Sequence, residues 1–356
     1  MTVSQLPQVS YLNRHASASG PAVTPNRSDP RRRLSGLDAI RPGAKVLWVT
    51  STGGHLAEVD LIARRIRAGA DSTWVTFESP QSAALVGDRP HLYVDYVAPR
   101  DLSGALRAAR QVTPLIRSEH FDACISTGAA VAATVLPIAA WSGIPTYYVE
   151  SLARAMSPST TGKILARVPG VQTLTQYRSW AAGSWEYAGS TLDEWQATEK
   201  PAAAGPLKIL VTLGTIGRYR FDRAVDAVLS LLRPEDEVVW QLGATSRTGL
   251  PGQVLDQVTP SRLATLSHRA DVVVAHSGVG SVLQQFALGN SPVLAVRRAD
   301  RGEHVDNHQV ELAATVAERG LATVLDLDRP TRSALEAAAG RTVTTQGGTP
   351  AALAAR

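Results

Sequence analysis

The sequence predicts an α/β protein made of two doubly wound parallel sheets, and three observations support this fold class. Short apolar runs rich in β-branched residues alternate along the chain with amphipathic helical patterns. Several of these runs end in a glycine-containing turn that leads directly into a helix. A break rich in alanine, residues 202–206 (AAAGP), separates two similar halves. At 356 residues the chain is long enough for two domains with separate cores.

Composition predicts the domain boundaries. Residues 1–42 are rich in Ser, Pro, Asn and Arg and are expected to form a disordered basic tail. An N-terminal Rossmann-like domain is expected over residues 43–200, and residues 201–206 form the linker. A second Rossmann-like domain is predicted over residues 207–330. The Ala-rich residues 331–356 are expected to form a terminal helix or tail.

The first domain opens with a strand at residues 45–50 (KVLWVT), which the turn Ser51-Thr52-Gly53-Gly54-His55 follows at once. Apolar residues then recur at three- and four-residue spacing from Leu56 to Ile66, which predicts a helix. The same reasoning predicts strands at residues 72–77, 91–97, 121–126 and 145–149. It predicts helices at 102–117, with Leu106, Ala109, Val112 and Ile116 facing inward, and at 130–141.

The second domain restarts the pattern at residues 207–213 (LKILVTL), followed by the turn Gly214-Thr215. Its most informative stretch begins with a buried strand at 272–275, which runs into His276-Ser277-Gly278-Val279-Gly280-Ser281 and then a helix. Further elements are predicted as helices at 221–232 and 262–267, strands at 238–242 and 293–296, and a helix that opens at His308.

The glycine turn after the 272–275 strand predicts a site for an anionic ligand. Two glycines let the backbone approach a ligand closely, and Ser281 is expected to cap the new helix. The free N–H groups and positive dipole end of a helix N-terminus attract phosphate. A nucleotide at the carboxyl edge of a parallel sheet fits this arrangement. A purely structural turn is the alternative.

The motif HSGVGS (residues 276–281), followed after another strand by HQVELA (308–313), resembles the donor-binding half of family 28 glycosyltransferases. The resemblance implies that the glycine turn holds a pyrophosphate and that Gln309 and Glu311 hold donor sugar hydroxyls. Gln284 stands where the family has an acidic residue for the ribose. The donor-binding candidates are Gly214, Thr215, His276, Ser277, Gly278, Val279, Gly280, Ser281, Gln284, His308, Gln309 and Glu311.

The first half resembles the membrane-associated acceptor subunit of the two-subunit UDP-N-acetylglucosamine transferase of the same family. The resemblance rests on Gly53-Gly54-His55 and on residues 148–163 (YVESLARAMSPSTTGK). It covers roughly residues 45–325, so the chain resembles a fusion of the two subunits. It implies the GT-B fold, in which a cleft separates two Rossmann-like domains. The acceptor-binding candidates are Gly53, Gly54, Thr127, Gly128, Ser151, Arg154 and Lys163.

His55 and Glu150 are the candidate general bases. An imidazole has an ordinary pKa of about 6.5, which suits it to accept a proton from an attacking hydroxyl. Glu150 follows a strand, and a carboxylate in a cleft there can have a raised pKa. The structural alternatives are a turn histidine bonded to backbone and a Glu150 paired with Arg154, four residues on. The resemblance places the histidine near the acceptor, which favours His55.

The resemblance implies an inverting glycosyltransferase of polysaccharide or glycan assembly. It would move N-acetylglucosamine, another hexose or a uronic acid from a UDP-sugar to a saccharide on a polyprenyl diphosphate. The UDP-sugar is then a co-substrate, and no cofactor is expected. One alternative is a non-hydrolysing UDP-sugar 2-epimerase, although Asp271 breaks the His-Arg-x-Glu-Asn signature at residues 268–271. The other is a non-catalytic UDP-sugar-binding partner of another transferase.

Charge excludes nucleic acid as a partner. Seven Arg or Lys and two Asp in residues 1–45 account for the whole formal charge of +5, so the rest of the chain is neutral overall. Nucleic-acid binding needs a basic face on a folded element, and none is predicted. The basic tail is instead suited to touch anionic lipid.

Composition also bears on location and on metals. The longest apolar stretch, residues 129–141, is too short to span a bilayer, and no secretory signal is visible. The single cysteine, Cys124, excludes an intramolecular disulfide. We expect a cytoplasmic protein in peripheral contact with the inner face of the cell membrane. No metal is expected, because Asp326 and Asp328 are predicted to lie in a surface turn and helix N-termini can stabilise departing UDP.

Overall fold

A computed structural model describes five stretches of the chain, residues 35–98, 101–201, 205–214, 219–304 and 306–345. Most of the predicted tail (residues 1–34) and the donor-binding candidate Thr215 lie outside these stretches. The rest of the predicted tail is not disordered. Leu37 is 1% exposed and belongs to the same hydrophobic cluster as Trp48 and Leu174. The folded domain therefore begins before the predicted boundary at residue 42.

The first half forms a parallel sheet with helices on its faces, as predicted, but the sheet has seven strands where the sequence predicted five. Its strands are β1 Val46–Val49, β2 Thr73–Thr76, β3 His91–Tyr93, β4 Ala123–Ser126, β5 Thr146–Val149, β6 Val171–Thr175 and β7 Trp185–Tyr187. Its helices are α1 Gly54–Ile66, α2 Pro80–Val86, α3 Leu102–Ser118, α4 Ala130–Trp141 and α5 Thr160–Leu165. The strand order is β3-β2-β1-β4-β5-β6-β7.

The second half forms a six-stranded parallel sheet. A connecting strand, β8 Trp195–Glu199, precedes it. The strands of this half are β9 Lys208–Thr212, β10 Glu237–Gln241, β11 Gln253–Leu255, β12 Val272–His276, β13 Val293–Ala295 and β14 Thr323–Val324, followed by β15 Arg341–Thr345. Its helices are α6 Asp222–Leu229, α7 Pro260–Arg269, α8 Val279–Ala287, α9 His308–Glu318 and α10 Arg332–Ala339. The strand order is β11-β10-β9-β12-β13-β14.

The strand order reverses at one strand in each sheet, and these two places set the position of the site. In the first sheet β1 lies between β2 and β4, and in the second β9 lies between β10 and β12. Loops that leave the carboxyl ends of such neighbouring strands diverge to opposite faces of the sheet and open a crevice. The turns after β1, β4, β9 and β12 therefore line the edges at which ligands bind. This is the GT-B arrangement that the sequence predicts.

The inward face of α3 differs from the prediction. Ala108, Val112 and Ile116 are buried, whereas Leu106 is 52% exposed. Val112 and Ile116 are buried as predicted. In the first part of the helix, however, Ala108 is buried in place of the predicted Ala109, which is half-buried. The helix instead turns Leu106 outward, beside exposed arginines. No helix in the described stretches is both long enough and apolar enough to cross a membrane.

The end of the chain returns to the junction between the halves. β15 pairs antiparallel with β8, in a register that places Val343 opposite Ala197. Trp195 of β8 lies 6.0 Å from Phe286 of α8, measured between ring centroids. Val343 is 1% exposed in the same hydrophobic cluster. The two-stranded sheet thus fastens the segment before the linker to the second domain.

A buried ion pair fixes α10 to the second sheet. The Asp236 side chain is 1% exposed and accepts hydrogen bonds from Arg332 at 3.0 Å and from the Leu207 amide at 2.9 Å. Burial alone would raise the pKa of Asp236, but Arg332 and the backbone amides of Arg233 and Leu207 outweigh it and lower the pKa to about 2. The charged carboxylate is therefore part of the folded state.

Asp236→Asn should lower the free energy of unfolding at pH 7 by about 2 kcal/mol, the equivalent of the pKa shift. Because the folded pKa lies below the ordinary value of 3.8, this stabilisation is complete above roughly pH 4 and is lost as the pH falls through about 2. Urea unfolding across this pH range measures it. Asp226→Asn is the control, since its exposed pair with Arg247 contributes little. Equal losses in the two variants would contradict the assignment.

Candidate active site

The N-termini of two helices meet between the halves. α1 begins at Gly54, after β1, and α8 begins at Val279, after β12. A Cβ atom on Gly54 would lie 2.9 Å from the Val279 Cβ and 3.3 Å from the Gly280 nitrogen, so the two turns approach as closely as glycine allows. Each helix start leaves backbone N–H groups without intrahelical acceptors. The junction therefore concentrates positive dipole ends and N–H donors in one place.

The start of α8 differs from the prediction in two residues. Gly278, not Ser281, holds the cap position, so no side chain caps the start of α8. Ser281 lies in the first turn of α8, with its hydroxyl 3.4 Å from a ring nitrogen of His276. Val279 is 7% exposed and belongs to a cluster that includes Leu61 of the first half. The Val279 side chain thus packs between the halves, and a donor contact through its backbone stays a prediction.

His55 is held in place by the turn after β4. A Cβ atom on Gly128 would lie 2.6 Å from the His55 Cε1, so the imidazole covers the glycine. Thr127 donates a hydrogen bond to the His55 carbonyl at 3.1 Å. Burial, helped by His308 and Arg154 nearby, lowers the pKa of His55 to about 4. The ring is therefore neutral at physiological pH, and Thr127 and Gly128 position it.

His276 occupies the matching place in the second half. Cβ atoms on Gly214 and Gly278 would lie 2.8 Å and 2.7 Å from its ring, which therefore separates the two donor-side turns. Burial, together with Arg297 and His304, lowers the pKa of His276 to about 4. A neutral ring wedged between two turns acts as a spacer for the loops that a nucleotide would touch.

Glu150 is buried and fully engaged. It is 1% exposed, and its carboxylate accepts hydrogen bonds from the Tyr148 hydroxyl at 3.0 Å and the Ser159 amide at 2.8 Å. Burial raises its pKa. The suggested pairing with Arg154 is wrong, because Arg154 reaches across the cleft to Asp306 at 2.9 Å. This geometry favours a role for Glu150 in shaping the loop to Ser159 over direct contact with a substrate.

Glu58 is a site residue that the sequence analysis missed. It lies on α1 one turn after His55, is fully buried, and accepts hydrogen bonds from the Ser151 hydroxyl at 2.6 Å and the Leu152 amide at 2.7 Å. Burial raises its pKa to about 7. The hydroxyl of Ser151, a predicted acceptor-binding residue, therefore donates its hydrogen bond to Glu58. An acidic residue between Leu56 and Val59 was the available signal, but the sequence does not tell a buried acid from a solvated one.

The start of α9 joins the donor side to the acceptor side. Ser277 donates to the Gln309 carbonyl at 3.0 Å, which ties α9 to the glycine turn. Glu311 accepts from the Met156 amide at 3.0 Å, across the cleft. The Gln309 side chain is 2% exposed, and its oxygen has no hydrogen-bond partner among the described residues. Gln309 and Glu311 thus lie where the predicted donor and acceptor regions meet.

The other predicted residues are dispersed. Gln284 is half-buried on α8, one turn after Gly280, and Lys163 is exposed on α5. Asp326 accepts hydrogen bonds from the backbone of Asp328 and Arg329, so this acid pair forms a turn at the surface.

A cluster that could hold a metal lies just before and at the start of α9, and it includes the predicted donor-binding residue His308. Among the described residues, His304, Asp306 and His308 offer ligand atoms within 4.8 Å of one another. His304 and Asp306 are not among the site residues predicted from the sequence.

Comparison with known proteins shows similarity to glycosyltransferases. Residues 208–329 match the glycosyltransferase family 28 C-terminal domain. The UDP-N-acetylglucosamine--N-acetylmuramyl-(pentapeptide) pyrophosphoryl-undecaprenol N-acetylglucosamine transferase of Synechococcus sp. (strain WH7803) is 27% identical over 321 residues, which cover 82% of this chain and 85% of that protein. The corresponding transferase of Xanthomonas campestris pv. campestris (strain B100) is 26% identical, with coverage of 82% and 71%.

Solved structures support the fold. MurG of Acinetobacter baumannii superposes with a TM-score of 0.53 at 19% identity, covering 82% of this chain and 89% of that one. A UDP-GlcNAc 2-epimerase from Neisseria meningitidis gives a TM-score of 0.50 at 10% identity, covering 80% and 95%. At such identities the likeness establishes the GT-B fold and nothing more. With the family 28 domain and the curated relatives, the chain is identified as an enzyme, a glycosyltransferase. A fusion of two subunits is not confirmed.

Gly54→Ala should weaken the junction between the halves, because the added methyl group meets both Val279 and the Gly280 backbone. Overpacking of this kind costs about 1–3 kcal/mol and should lower the melting temperature. Gly280→Ala is the matched control, since its Cβ would find only ordinary contacts at 3.5 Å. Alanine in a helix is otherwise favoured over glycine by about 0.5–1 kcal/mol. Equal melting temperatures for the two variants would contradict the close approach.

Proposed function

We propose that this glycosyltransferase moves a sugar from a UDP-sugar to a hydroxyl of a saccharide carried on a polyprenyl diphosphate, with inversion at the anomeric carbon. The sugar would be N-acetylglucosamine, another hexose or a uronic acid. The observation that carries the proposal is the meeting of two helix N-termini beside a neutral histidine. The curated relatives support it, since their names state a UDP-N-acetylglucosamine donor and a pyrophosphoryl-undecaprenol acceptor.

The donor would bind at the start of α8. Its diphosphate would take the N–H groups at Val279 and Gly280 in the first turn of α8, since the Gly278 N–H already donates to the His276 carbonyl at 2.9 Å. Gly214 would approach from the neighbouring turn, and Thr215 stays a prediction from the sequence. The side chains of Gln309 and Glu311 would take sugar hydroxyls, and Gln284 would face the ribose. The buried Gln309 oxygen supports this placement, because a buried acceptor without a partner is costly unless a ligand supplies a donor.

The acceptor would bind on the opposite wall, along the start of α1 and the loop that Glu58 and Glu150 hold. Arg154 would meet its diphosphate at the mouth of the cleft, with Lys163 further out. A single chain with both walls would be able to assemble the whole cleft. Descent from a fusion of two subunits is a further proposal. The Synechococcus relative is matched over 85% of its own length. A single chain that carries both halves therefore does not by itself require a fusion.

His55 is the group we propose as general base. It lies at the first turn of α1, and its ring is neutral because burial lowers its pKa. A neutral imidazole can accept the proton of a hydroxyl as that hydroxyl attacks the anomeric carbon. Glu150 has both oxygens occupied and would act through the loop it holds. Departing UDP would be stabilised by the N–H groups of the helix starts.

Release of UDP only when a lipid-linked acceptor is added would test the proposed function. An epimerase would change the sugar of the UDP-sugar without any acceptor. A non-catalytic binding partner would bind UDP-sugar and release nothing. Either result would contradict the proposal.

His55→Ala should lower kcat by roughly 10²–10⁴-fold, the usual contribution of a general base, and leave UDP affinity nearly unchanged. Gly278→Val is the matched donor-side variant and should abolish UDP binding, because even a Cβ there lies 2.7 Å from the His276 ring. Calorimetry with UDP and steady-state kinetics separate the two effects. Near-normal turnover of His55→Ala beside an inactive Glu150→Gln would transfer the role to Glu150.

The acid limb of the kcat/KM profile tests the same assignment. Burial lowers the pKa of His55 to about 4, so the base should stay unprotonated below the pH of roughly 6.5 at which an ordinary imidazole is half protonated. We therefore expect kcat/KM to hold as the pH falls through 6.5 and to decline only towards a pH of about 4.

We further propose that the enzyme works at the cytoplasmic face of the membrane, which it contacts peripherally through α3 and the basic tail. Leu102 and Leu106 on α3 are 84% and 52% exposed, and Arg107, Arg110 and Arg117 are exposed on the same helix. Apolar side chains rimmed by arginine suit the boundary between anionic headgroups and acyl chains.

Flotation with anionic liposomes should show binding that weakens at high salt. It should fall when residues 1–34 are deleted, a truncation that spares buried Leu37. It should fall further in a Leu102→Ser, Leu106→Ser double variant, because each exposed leucine loses its apolar contact with the lipid. Val254→Ser, at an exposed apolar position of the second domain, is the control. Binding that survives the truncation and the double variant would place the contact elsewhere.

A further inference from the structure

A histidine–aspartate cluster, formed by His304, Asp306 and His308, lies just before and at the start of α9. The nearer oxygen of Asp306 lies 3.5 Å from the Nδ1 of His304 and is hydrogen-bonded to the Nδ1 of His308. Each of the three residues offers one ligand atom, and these atoms lie within 4.8 Å of one another. The spacing His-x-Asp-x-His brings two imidazoles and a carboxylate to one point.

The cluster is held firmly. His304 is 8% exposed and stacks on Tyr219, with ring centroids 5.7 Å apart and ring planes 25° apart. His308 meets the His304 ring edge-on at 4.6 Å. The other oxygen of Asp306 accepts a hydrogen bond from Arg154 at 2.9 Å. A carboxylate oriented by an outer partner and two packed imidazoles form a preorganised set of ligands.

Its position is central to the cleft. Asp306 accepts its hydrogen bond from Arg154 of the first half. The Gln309 carbonyl, one residue after His308, accepts a hydrogen bond from Ser277 of the glycine turn at 3.0 Å. The cluster therefore lies where the start of α9 contacts both the glycine turn and the loop that carries Arg154.

The geometry points to a site for one divalent transition-metal ion of the Zn²⁺ class, held by His304, Asp306 and His308 and completed by a diphosphate oxygen of the nucleotide donor. Imidazole and carboxylate are the ligands that such borderline ions take, and three protein ligands leave at least one position open. The identity of the donor rests on the proposed function. The protein ligands do not depend on it.

Charge predicts how the cation and the nucleotide depend on each other. Arg154 and Arg297 add positive charge around the cluster, which opposes a bare cation. A diphosphate carries the opposite charge and offsets this repulsion. The cation should therefore bind more tightly with UDP present, and UDP should gain by the same factor because coupling between two sites is reciprocal.

The first experiment uses the untagged full chain and the metal alone. Co²⁺ should give a ligand-field absorption that saturates at one ion per chain, and Zn²⁺ should displace it. His308→Ala should weaken Zn²⁺ binding measured by calorimetry by more than about 100-fold, since outer partners of a metal ligand alone are worth about 10–100-fold. His120→Ala is the matched control, because that exposed histidine also lies two residues before an aspartate, with its Nε2 3.8 Å from Asp122.

His304→Ala tests the buried ligand, and circular dichroism shows whether this variant folds. His308 is less buried than His304, so His308→Ala keeps the test valid if His304→Ala misfolds. The absence of saturable binding to the wild-type chain would overturn the inference and leave a hydrogen-bonded trio without a metal, in line with the metal-free chemistry expected from the sequence. Binding that His308→Ala retains would overturn it too.

A second titration, with UDP present, tests the coupling. Zn²⁺ affinity should rise in the wild-type chain beyond any rise in His308→Ala, the variant that corrects for Zn²⁺ bound by UDP itself. Equal rises would overturn the completion by diphosphate. UDP binding without Zn²⁺ binding would sink the metal site and leave the proposed function intact. Zn²⁺ binding without UDP binding would contradict the proposed donor and leave the site of three protein ligands intact.

Discussion

The close contact between the starts of α1 and α8 is the constraint on which the rest of the site depends. Because residue 54 has no side chain, the first turn of α1 can lie against Val279 and the Gly280 backbone. Two positive helix ends brought together repel each other, and an anion bound beside both ends would offset that repulsion. The apolar cluster that joins Leu61 to Val279 holds the ends together without a ligand. The fold thus maintains a place that favours an anion.

Two buried carboxylates organise the acceptor side of this contact. Burying a charged group is costly unless its oxygens are satisfied, and Glu58 and Glu150 each accept several hydrogen bonds. Their partners lie in or next to the loop from Ser151 to Ser159. The network therefore fixes where Arg154 meets the second domain, because the loop cannot move without leaving buried acceptors unpaired. Both carboxylates therefore help to set the conformation of that loop.

The histidines in the cleft divide into two kinds by their surroundings. His55 and His276 lie against glycine turns, where desolvation and neighbouring cations keep their rings neutral. His304 and His308 lie against a carboxylate. Rings wedged against glycine turns suit the spacing of loops and proton acceptance, whereas rings oriented by a carboxylate suit the ligation of a metal ion. The second kind carries the proposed metal site.

The two doubly wound domains and the glycine turns at their strand ends could be predicted from the sequence, because buried parallel strands and amphipathic helices have local periodicities. His55 and the HSGVGS turn could be proposed as site candidates for the same reason, since turn chemistry is local. Three features become visible only in the folded chain: Glu58 is buried, Arg154 pairs with Asp306, and β15 returns to β8. These features join residues far apart in the chain, and no local pattern records which distant group a side chain will meet.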